Sequence, residues 1–373
     1  MRRKRRRDGD PLQAQYGWVD YGGERIWAVG FTEGGAPYGL TAEQYERAID
    51  ADKRERLPRP NWTDAKEALC EIARRAGVAL DGSTIGRVRH IGDGLSNAVF
   101  AGTIRLQEDH ETELVIKLPA SDAKPDRDER LRKEAKLLRY LNAQSLTFAV
   151  PRPIGEVETG AGLAVVQAWV EGLEVDVRSS RFQGGKPWEF VADVAAGIHA
   201  INPDPIRDDI PCHRTRLDHA VVLARGLQEL DAPEARDAEA WIREHVPPDT
   251  PASLLHGDLL GQNLRRPLDD TGRVGVIDWA EACVGDPAYD LAIVTRGHRK
   301  PFGVTNGLVR LVDSYNRLAA SPLTVAEVRV HELILHAGFF RAAISDYGRR
   351  SPHAEQERVN WRSLLRRVAQ ASD

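Results

Sequence analysis

The feature that most constrains the fold is a change in sequence pattern along the chain, from strand-like segments to helical ones. Residues 85–104 read as a strand, a glycine-rich turn and a second strand, and 112–120 and 161–172 read as further strands. Between them, 127–144 has the spacing of an amphipathic helix. The apolar stripe of this helix consists of Leu131, Ala135, Leu138 and Leu141.

After residue 172 the apolar spacing becomes mostly helical, with one short strand-rich insert at 254–279. The predicted helices span 187–201, 215–230, 233–246, 305–320, 324–347 and 353–371. A small sheet with one helix, followed by a larger helical region, is an α+β arrangement. We therefore expect a smaller sheet-containing unit at 83–170 and a larger helical unit at 171–373.

Residues 1–82 fit neither unit and are expected to form an N-terminal extension. Its predicted parts are a basic tail at 1–15, two short strands around a Gly-Gly turn at 16–31, a helix from 41, a linker at 52–61 and a helix at 62–77. Thr41 with Gln44 three positions later has the form of a capping box. No motif in this extension indicates its role.

Composition argues against a membrane protein and against a disulfide framework. No run of eighteen apolar residues exists, and the basic start lacks the apolar segment of a secretory signal. The three cysteines, Cys70, Cys212 and Cys283, are far apart and form no paired motif. These observations favour a protein of the reducing cytoplasm.

The distribution of charge along the chain indicates which kind of binding partner to expect. The net charge is −4, but residues 171–300 carry 23 acidic against 15 basic side chains. This acidic balance argues against nucleic acid as the main partner and favours a cationic one. Six basic residues stand among the first seven, and we interpret them as a solvated tail.

Glycines and a lysine mark the strand-rich unit as a candidate phosphate-binding region. Gly92 and Gly94 frame the turn between the first two strands, and glycine lets backbone N–H groups approach an anion closely. Lys117 lies in an otherwise apolar strand, so its ammonium needs a partner or solvent. Glu134 on the following helix could be that partner. The alternatives are an edge-strand lysine that reaches solvent, and a Glu134 paired only with lysines of its own helix.

The segment LLHGDLLGQNL, residues 254–264, places Asp258 and Asn263 five positions apart just past an apolar run. Asp278 ends another apolar strand fifteen residues later. A strand-end carboxylate and a loop carboxamide can supply oxygen ligands to Mg²⁺, which leaves Asp258 free to act on a hydroxyl. A polar surface turn is the alternative interpretation of the same residues.

Taken in chain order, these features form the set of parts used by kinase-type phosphoryl transferases. A glycine-rich hairpin, a strand lysine, a helix glutamate, an Asp-x₄-Asn loop and a strand-end aspartate follow one another on the predicted elements. Each is modest evidence alone, and their common order makes a chance occurrence improbable. The sequence therefore predicts phosphoryl transfer.

Two segments of the chain resemble a known family. HGDLLGQNL and VIDWAEACVGDPAYDLA are similar to the catalytic and metal motifs of the aminoglycoside phosphotransferase family, within the protein-kinase-like superfamily. The run at 277–282 looks closest to hygromycin and macrolide phosphotransferases, and the resemblance covers about 83–373. It implies a bilobal fold with a small antiparallel-sheet N-lobe for the nucleotide and a helical C-lobe for the acceptor.

The resemblance also implies roles for individual residues. Asp258 would be the catalytic base, Asn263 and Asp278 the Mg²⁺ ligands, and Lys117 the phosphate ligand positioned by Glu134. The residues expected over the phosphates or beside the adenine are Ser96, Asn97, Gln167 and Trp169.

Four further residues are expected to be structural. Asp290 and His256 would support the catalytic loop. His199 is interpreted as a core or helix-end histidine. Nothing near Cys283 in the sequence makes it a nucleophile.

The expected activity is transfer of the γ-phosphate of ATP or GTP to a hydroxyl of a small cationic molecule, such as an aminoglycoside-like or macrolide-like antibiotic. A metabolic kinase acting on choline, a fructosamine or a sugar is the nearest alternative. A nucleotide-binding scaffold without turnover is another. A protein kinase is disfavoured because His-Arg-Asp and Ala-Pro-Glu segments are both missing.

Overall fold

A computed structural model describes residues 17–21, 24–31, 37–41, 62–80, 84–93, 97–107, 110–119, 127–175, 185–268, 272–349 and 351–370. The first elements are the strands β1 (Gly17–Tyr21), β2 (Glu24–Phe31) and β3 (Pro37–Thr41), which form one antiparallel sheet. The first two strands confirm the prediction at 16–31, and the third was not predicted. The tail at 1–15, the rest of the helix expected from Thr41 and the linker at 52–61 lie outside the described residues.

Helix α1 (Trp62–Arg75) confirms the helix predicted at 62–77. Its buried side chains include Leu69 and Ile72, which share an apolar core with Phe100 and Ile104 of the adjoining sheet. Burial of this face, at roughly 25 cal/mol per Å², attaches the helix to the sheet. The division of the chain at residue 82 stays a prediction, and this shared core favours grouping the helix with the N-lobe.

The central sheet of the N-terminal half has five antiparallel strands in the order β4-β5-β6-β8-β7. They are β4 (Arg89–Asp93), β5 (Asn97–Gln107), β6 (His110–Pro119), β7 (Pro153–Thr159) and β8 (Gly162–Ala168). Strand β7 was not predicted. Lys117 lies in the middle strand β6, directly between Val99 of β5 and Val165 of β8.

Helix α2 (Arg127–Asn142) covers one face of this sheet. All four residues of its predicted stripe are buried, and Leu131 and Ala135 pack against Leu163 and Val165 of β8. Side chains three and four positions apart share a helix face, so Glu134 points toward the same sheet face as these residues.

The chain crosses to its helical half just after β8. Strand β9 (Leu173–Glu174) pairs with β11 (Leu264–Arg266), which itself pairs with β12 (Gly275–Val276). Gly172 adopts φ +136°, and a Cβ there would lie 2.5 Å from the Arg266 carbonyl oxygen. Glycine is therefore required where the crossing segment meets β11.

The helical half agrees closely with the predicted pattern. Its helices are α3 (Pro187–His199), α4 (Arg216–Gln228), α5 (Pro233–His245), α6 (Ala288–Thr295), α7 (Gly307–Asn316), α8 (Val325–Tyr347) and α9 (Pro352–Gln370). A two-stranded sheet of β10 (Ser253–Leu255) and β13 (Cys283–Gly285) leads into the candidate loop. Among the described residues, no helix is both long enough and apolar enough to cross a bilayer. The architecture is α+β, as the sequence predicts.

Candidate active site

A cleft of about 670 Å³ lies between the five-stranded sheet and the loops of the helical half. The predicted site residues that line it are Gly92, Asn97, Lys117, Gln167, Trp169, Asp258, Asn263 and Asp278. Glu134 lies behind Lys117, and Gly94 and Ser96 lie outside the described residues. The structure thus brings together residues that are up to 186 positions apart in the numbering, from Gly92 to Asp278.

Lys117 joins two carboxylates. Its Nζ lies 2.6 Å from Glu134 Oε1 and 2.8 Å from Asp278 Oδ1. The lysine and Glu134 are buried, whereas the Asp278 side chain is 45% exposed. Burial opposes the charge of Lys117, but attraction to both carboxylates outweighs it and raises the pKa of the ammonium. A permanent positive charge therefore lies at the cleft.

Glu134 holds a second element. The same Oε1 that meets Lys117 accepts a hydrogen bond from the backbone N–H of Trp279 at 3.1 Å. The Trp279 indole is buried, stacks near Phe148 and donates from Nε1 to the Val276 carbonyl. Helix α2 is therefore tied both to the strand lysine and to the residue that follows Asp278.

Asp278 projects into the cleft from a strained backbone position two residues after β12. Its φ of +65° lies in the left-handed region, which Asp tolerates better than most residues. Attraction to Lys117 lowers the pKa of the Asp278 carboxyl, and this outweighs the opposing effect of its partial burial. The carboxylate is consequently ionised and half exposed, which suits an anionic ligand for a cation.

Asp258 and Asn263 are held together on one loop. The Asn263 amide donates from Nδ2 to Asp258 Oδ2 at 2.9 Å and to the Asp258 backbone carbonyl at 2.8 Å. The short 3₁₀ turn Gly261–Asn263 provides this geometry. With Nδ2 so engaged, the Asn263 carbonyl oxygen remains as the acceptor of that side chain. Burial raises the pKa of the Asp258 carboxyl, and His256 and Asn263 counteract this.

A close backbone contact fixes the start of this loop. Gly257 has φ +79°, and a Cβ there would lie 1.9 Å from the Glu281 carbonyl oxygen. No other residue fits without displacing that backbone. The loop that carries Asp258 therefore rests directly on the segment that follows Asp278.

Asp290 supports the loop from below, as expected. Its carboxylate accepts hydrogen bonds from the backbone N–H groups of His256 and Gly257, both at 2.9 Å. His199 Nε2 lies 3.1 Å from Oδ2 of the same carboxylate. The other ring nitrogen of His199, Nδ1, lies 2.9 Å from the Tyr315 hydroxyl. Burial acts against the Asp290 charge, but the hydrogen bond from His199 and the neighbouring histidines lower the pKa of the carboxyl.

His256 itself links two loops. Its Nε2 lies 3.0 Å from the Ile277 carbonyl oxygen, and its Nδ1 accepts from the Asp258 backbone N–H at 3.2 Å. Because the backbone donates to Nδ1, the proton is on Nε2, which donates to Ile277. Both ring nitrogens are used in structure, in agreement with a supporting role.

The sheet side of the cleft offers apolar walls for a planar group. Ile91, Val99 and Val115 line it opposite Ile277. Trp169 lies at the margin, where the Arg89 guanidinium stacks 5.6 Å from its ring. The Trp169 backbone N–H donates to the Glu113 carbonyl at 3.2 Å, so this donor is already engaged within the protein.

Sequence reasoning missed several cleft residues and a buried network. Arg296 and Glu281 are two of the charged residues that line the cleft, and neither stood out because each is a lone charged residue beside a turn. Arg216 bridges Asp286 at 2.6 Å and Glu327 at 2.8 Å beneath the loop. The spacing of these three residues carries no local signal.

Cys283 follows the cleft segment, and burial raises the pKa of its thiol to about 12. The thiolate is the reactive form of cysteine, so this shift disfavours a nucleophilic role at neutral pH.

The donor set fits a magnesium nucleotide rather than a metal cage made by protein alone. No group of three or more His, Cys, Asp or Glu side chains that could hold a metal occurs in the described part of the chain. One carboxylate, Asp278, and one amide oxygen, Asn263, face the cleft instead. Mg²⁺ commonly takes one or two protein oxygens and completes its shell with phosphate and water.

The family assignment agrees with this geometry. The model of the phosphotransferase enzyme family (APH) matches residues 87–327, which is more than half of the chain. The protein belongs to this family. It is accordingly a phosphotransferase that takes a hydroxyl group of a small molecule as acceptor. Comparison with curated proteins gives no match.

Solved structures show the fold. The GDP and kanamycin complex of the aminoglycoside phosphotransferase APH(2")-IIIa has 13% identity and a TM-score of 0.57, with 79% of this chain and 97% of that chain covered. Macrolide 2'-phosphotransferase MphH from Brachybacterium faecium has 22% identity and a TM-score of 0.54, with 79% and 97% covered.

A thermostable mutant of APH(4)-Ia, in a ternary complex with ADP and hygromycin B, has 14% identity and a TM-score of 0.56, with 80% and 97% covered. These likenesses confirm the bilobal, protein-kinase-like fold that the motifs predict. They also agree with the suspected family.

Proposed function

We propose that this protein transfers the γ-phosphate of a purine nucleoside triphosphate, ATP or GTP, to a hydroxyl of a small cationic molecule. One observation carries the proposal: Lys117 bridges Glu134 and Asp278 in the cleft that also contains the Asp258–Asn263 pair. Phosphoryl transfer depends mainly on positioning and charge neutralisation, and this arrangement offers both.

Nucleotide and metal binding divide among the cleft residues. Lys117 would neutralise phosphate charge, and the strand ends at Gly92 and Asn97 would approach the phosphates. Asn263 and Asp278 would hold Mg²⁺ through one oxygen each. When bound, the metal ion would offset the negative charge of the triphosphate. The ADP, ATP and GDP complexes of similar structures support nucleotide use at this cleft.

Asp258 would orient the acceptor hydroxyl and take its proton. The Asn263 amide restricts the carboxylate to one orientation, and Asp290 and His256 anchor the start of the loop. One Asp258 oxygen is engaged by Asn263, which leaves the other available to the acceptor. A positioned base of this kind contributes roughly 10²- to 10⁴-fold to rate.

The acceptor class is inferred from charge and from relatives. Residues 171–300 have eight more acidic than basic side chains, from 23 against 15. Such a field attracts an amine-bearing molecule, an effect that salt weakens. Kanamycin, hygromycin B and streptomycin are in the complexes of similar structures, and MphH is a macrolide 2'-phosphotransferase. An aminoglycoside-like or macrolide-like antibiotic is therefore the acceptor we propose.

The deciding experiment is an acceptor panel with purified protein, Mg²⁺ and ATP or GTP. Product is detected by mass spectrometry as a gain of one phosphoryl group. The panel contains aminoglycosides, hygromycin B, macrolides, choline, fructosamines and sugars. The Asp258→Ala variant is the negative control, and the Asp249→Ala variant, which changes an exposed loop carboxylate, is the matched positive control.

Each outcome has a defined meaning. Phosphorylation of an antibiotic by the native protein, and its loss in the Asp258→Ala variant, would support the proposal. Turnover confined to choline, a fructosamine or a sugar would replace the acceptor class with that of a metabolic kinase. Nucleotide binding without turnover of any acceptor would indicate a scaffold.

A further inference from the structure

Gln167 carries a buried carboxamide that nothing in the described protein satisfies. The residue is 3% exposed, and its Oε1 is buried without a hydrogen-bond partner among the described residues. No described side chain or backbone group pairs with its Nε2 either. Most buried side-chain polar atoms are hydrogen-bonded, so this exception calls for a physical explanation.

The position of Gln167 relates this carboxamide to the cleft. Gln167 is the penultimate residue of β8 and lies directly opposite Val115 of β6 in the antiparallel register. Both residues line the cleft, as does Lys117 two positions beyond Val115 on the same face of the strand. The carboxamide therefore borders the same cleft as the lysine. Along the paired strands β6 and β8, Gln167 lies two residues away from the position opposite Lys117.

The surroundings of Gln167 suit a flat apolar ring with a polar edge. Ile91 and Val99 on the sheet side and Ile277 on the opposite side supply apolar contact surface. Gln167 is a buried uncharged polar side chain beside these apolar walls, and its Oε1 has no hydrogen-bond partner among the described residues. Ligand pockets use a few such polar groups to fix orientation and specificity.

We propose that the Gln167 carboxamide hydrogen-bonds the edge of the purine base, and that the protein for this reason accepts both ATP and GTP as phosphoryl donors. This inference rests on the proposed function. It goes beyond it by assigning base recognition to one side chain and by stating the nucleotide range.

The chemistry of the carboxamide explains the double specificity. A glutamine side chain offers one acceptor oxygen and two donor N–H groups. With adenine, Oε1 accepts from the exocyclic amino group while Nε2 donates to a ring nitrogen. With guanine, Nε2 donates to the exocyclic oxygen while Oε1 accepts from the ring N–H. No partner among the described residues fixes the amide plane, so a half-turn about its terminal bond exchanges the two arrangements.

Equilibrium binding separates this idea from the question of acceptor and turnover. Calorimetry with the full chain, Mg²⁺ and non-hydrolysable analogues compares ATP, GTP and the triphosphate of purine riboside. Purine riboside lacks the substituent at position 6 and retains the ring, ribose and phosphates. We expect ATP and GTP affinities within about 10-fold of each other, and purine riboside triphosphate about 3- to 10-fold weaker than ATP, as for one lost hydrogen bond.

The variant Gln167→Met tests the side chain itself. Methionine has a similar length and no donor, so its affinities for the three analogues should become equal within about 3-fold. The ligand-free variant should melt at the same temperature as the native protein or higher, because an unsatisfied buried amide is removed. A merely structural glutamine would instead lower that temperature. Gln144→Met, at an exposed glutamine after α2, is the control.

Three results would overturn the inference. The first is a preference above about 100-fold for ATP or GTP. The second is an unchanged preference over purine riboside triphosphate in Gln167→Met. The third is equal binding of all three analogues by the native protein, which needs no variant. Absence of any nucleotide binding would instead refute the proposed function, and this inference with it.

Discussion

The Asp290 carboxylate lies 2.9 Å from the backbone nitrogen of His256, 34 positions earlier in the chain. Its second oxygen accepts from the N–H of Gly257, so one buried side chain holds two consecutive peptide groups of the loop. The loop that carries Asp258 therefore depends on the first turn of α6 for its position.

Replacement of Asp290 by Ala should destabilise the protein by about 3–5 kcal/mol, because a buried, paired carboxylate is lost and two backbone donors lose their acceptor. Urea unfolding followed by circular dichroism measures this change. Asp193→Ala, at an exposed position of α3, should stay within about 0.5 kcal/mol of the native protein. A native-like unfolding midpoint for Asp290→Ala would contradict the supporting role.

Asp258→Ala should lower kcat by about 10²-fold or more, since it removes the group that we propose orients and deprotonates the acceptor. Nucleotide affinity should change little, because Lys117 and Asp278 remain. Steady-state kinetics and nucleotide titration together measure both quantities, with Asp249→Ala as the control. A variant with near-normal turnover would end the assignment of Asp258 as the base.

Asp278→Asn should remove the gain in nucleotide affinity that Mg²⁺ provides, by at least about 10-fold. Asn is the better substitution for this test because it tolerates φ +65° as Asp does, whereas Ala adds backbone strain. Asp278→Ala should show the same loss of magnesium dependence. Titration with and without Mg²⁺ measures it, and an unchanged magnesium effect in both variants counts against the metal role.

His219 should make stability depend on pH. The backbone N–H of Asp286 donates to its Nδ1 at 2.9 Å, and burial together with His331 and His213 lowers its pKa to about 3. The unfolded chain binds a proton below about pH 6.5, whereas the folded protein does not until about pH 3. Stability is therefore fully present above the unfolded pKa and is lost as the pH falls below it, by up to about 1.4 kcal/mol per pH unit from this group.

The variant His219→Gln keeps an acceptor for the Asp286 N–H and does not titrate. Between about pH 7 and about pH 5, its free energy of unfolding should fall less steeply with falling pH than that of the native protein. The two slopes should differ by up to about 1.4 kcal/mol per pH unit. Urea unfolding at each pH gives the slope. Equal slopes in His219→Gln and the native protein would refute the assignment.

Local patterns were sufficient to predict most elements of the fold. Apolar periodicity predicted all the helices after residue 172 except α6, whose eight residues are too short and too uniformly apolar for a clear stripe. Strand β7 was missed because prolines and glycines interrupt its start. The third N-terminal strand was missed for a similar reason, since β3 begins with Pro37.

Contacts between distant residues were less accessible to sequence reasoning. The pair of Lys117 and Glu134 could be anticipated because an isolated strand lysine requires an anion. The hydrogen bond from Trp279 to Glu134 could not, because it depends on a backbone group 145 positions away. The same holds for Arg216, which bridges Asp286 and Glu327 across 70 and 111 positions. Such partners are set by tertiary packing rather than by any local spacing.

The shared oxygen of Glu134 has a consequence for control of the enzyme. A rotation of α2 that withdraws this oxygen would remove one of the two counter-ions of Lys117 and release the peptide after Asp278 in the same movement. The phosphate role proposed for Lys117 and the metal role proposed for Asp278 would therefore weaken together when α2 moves.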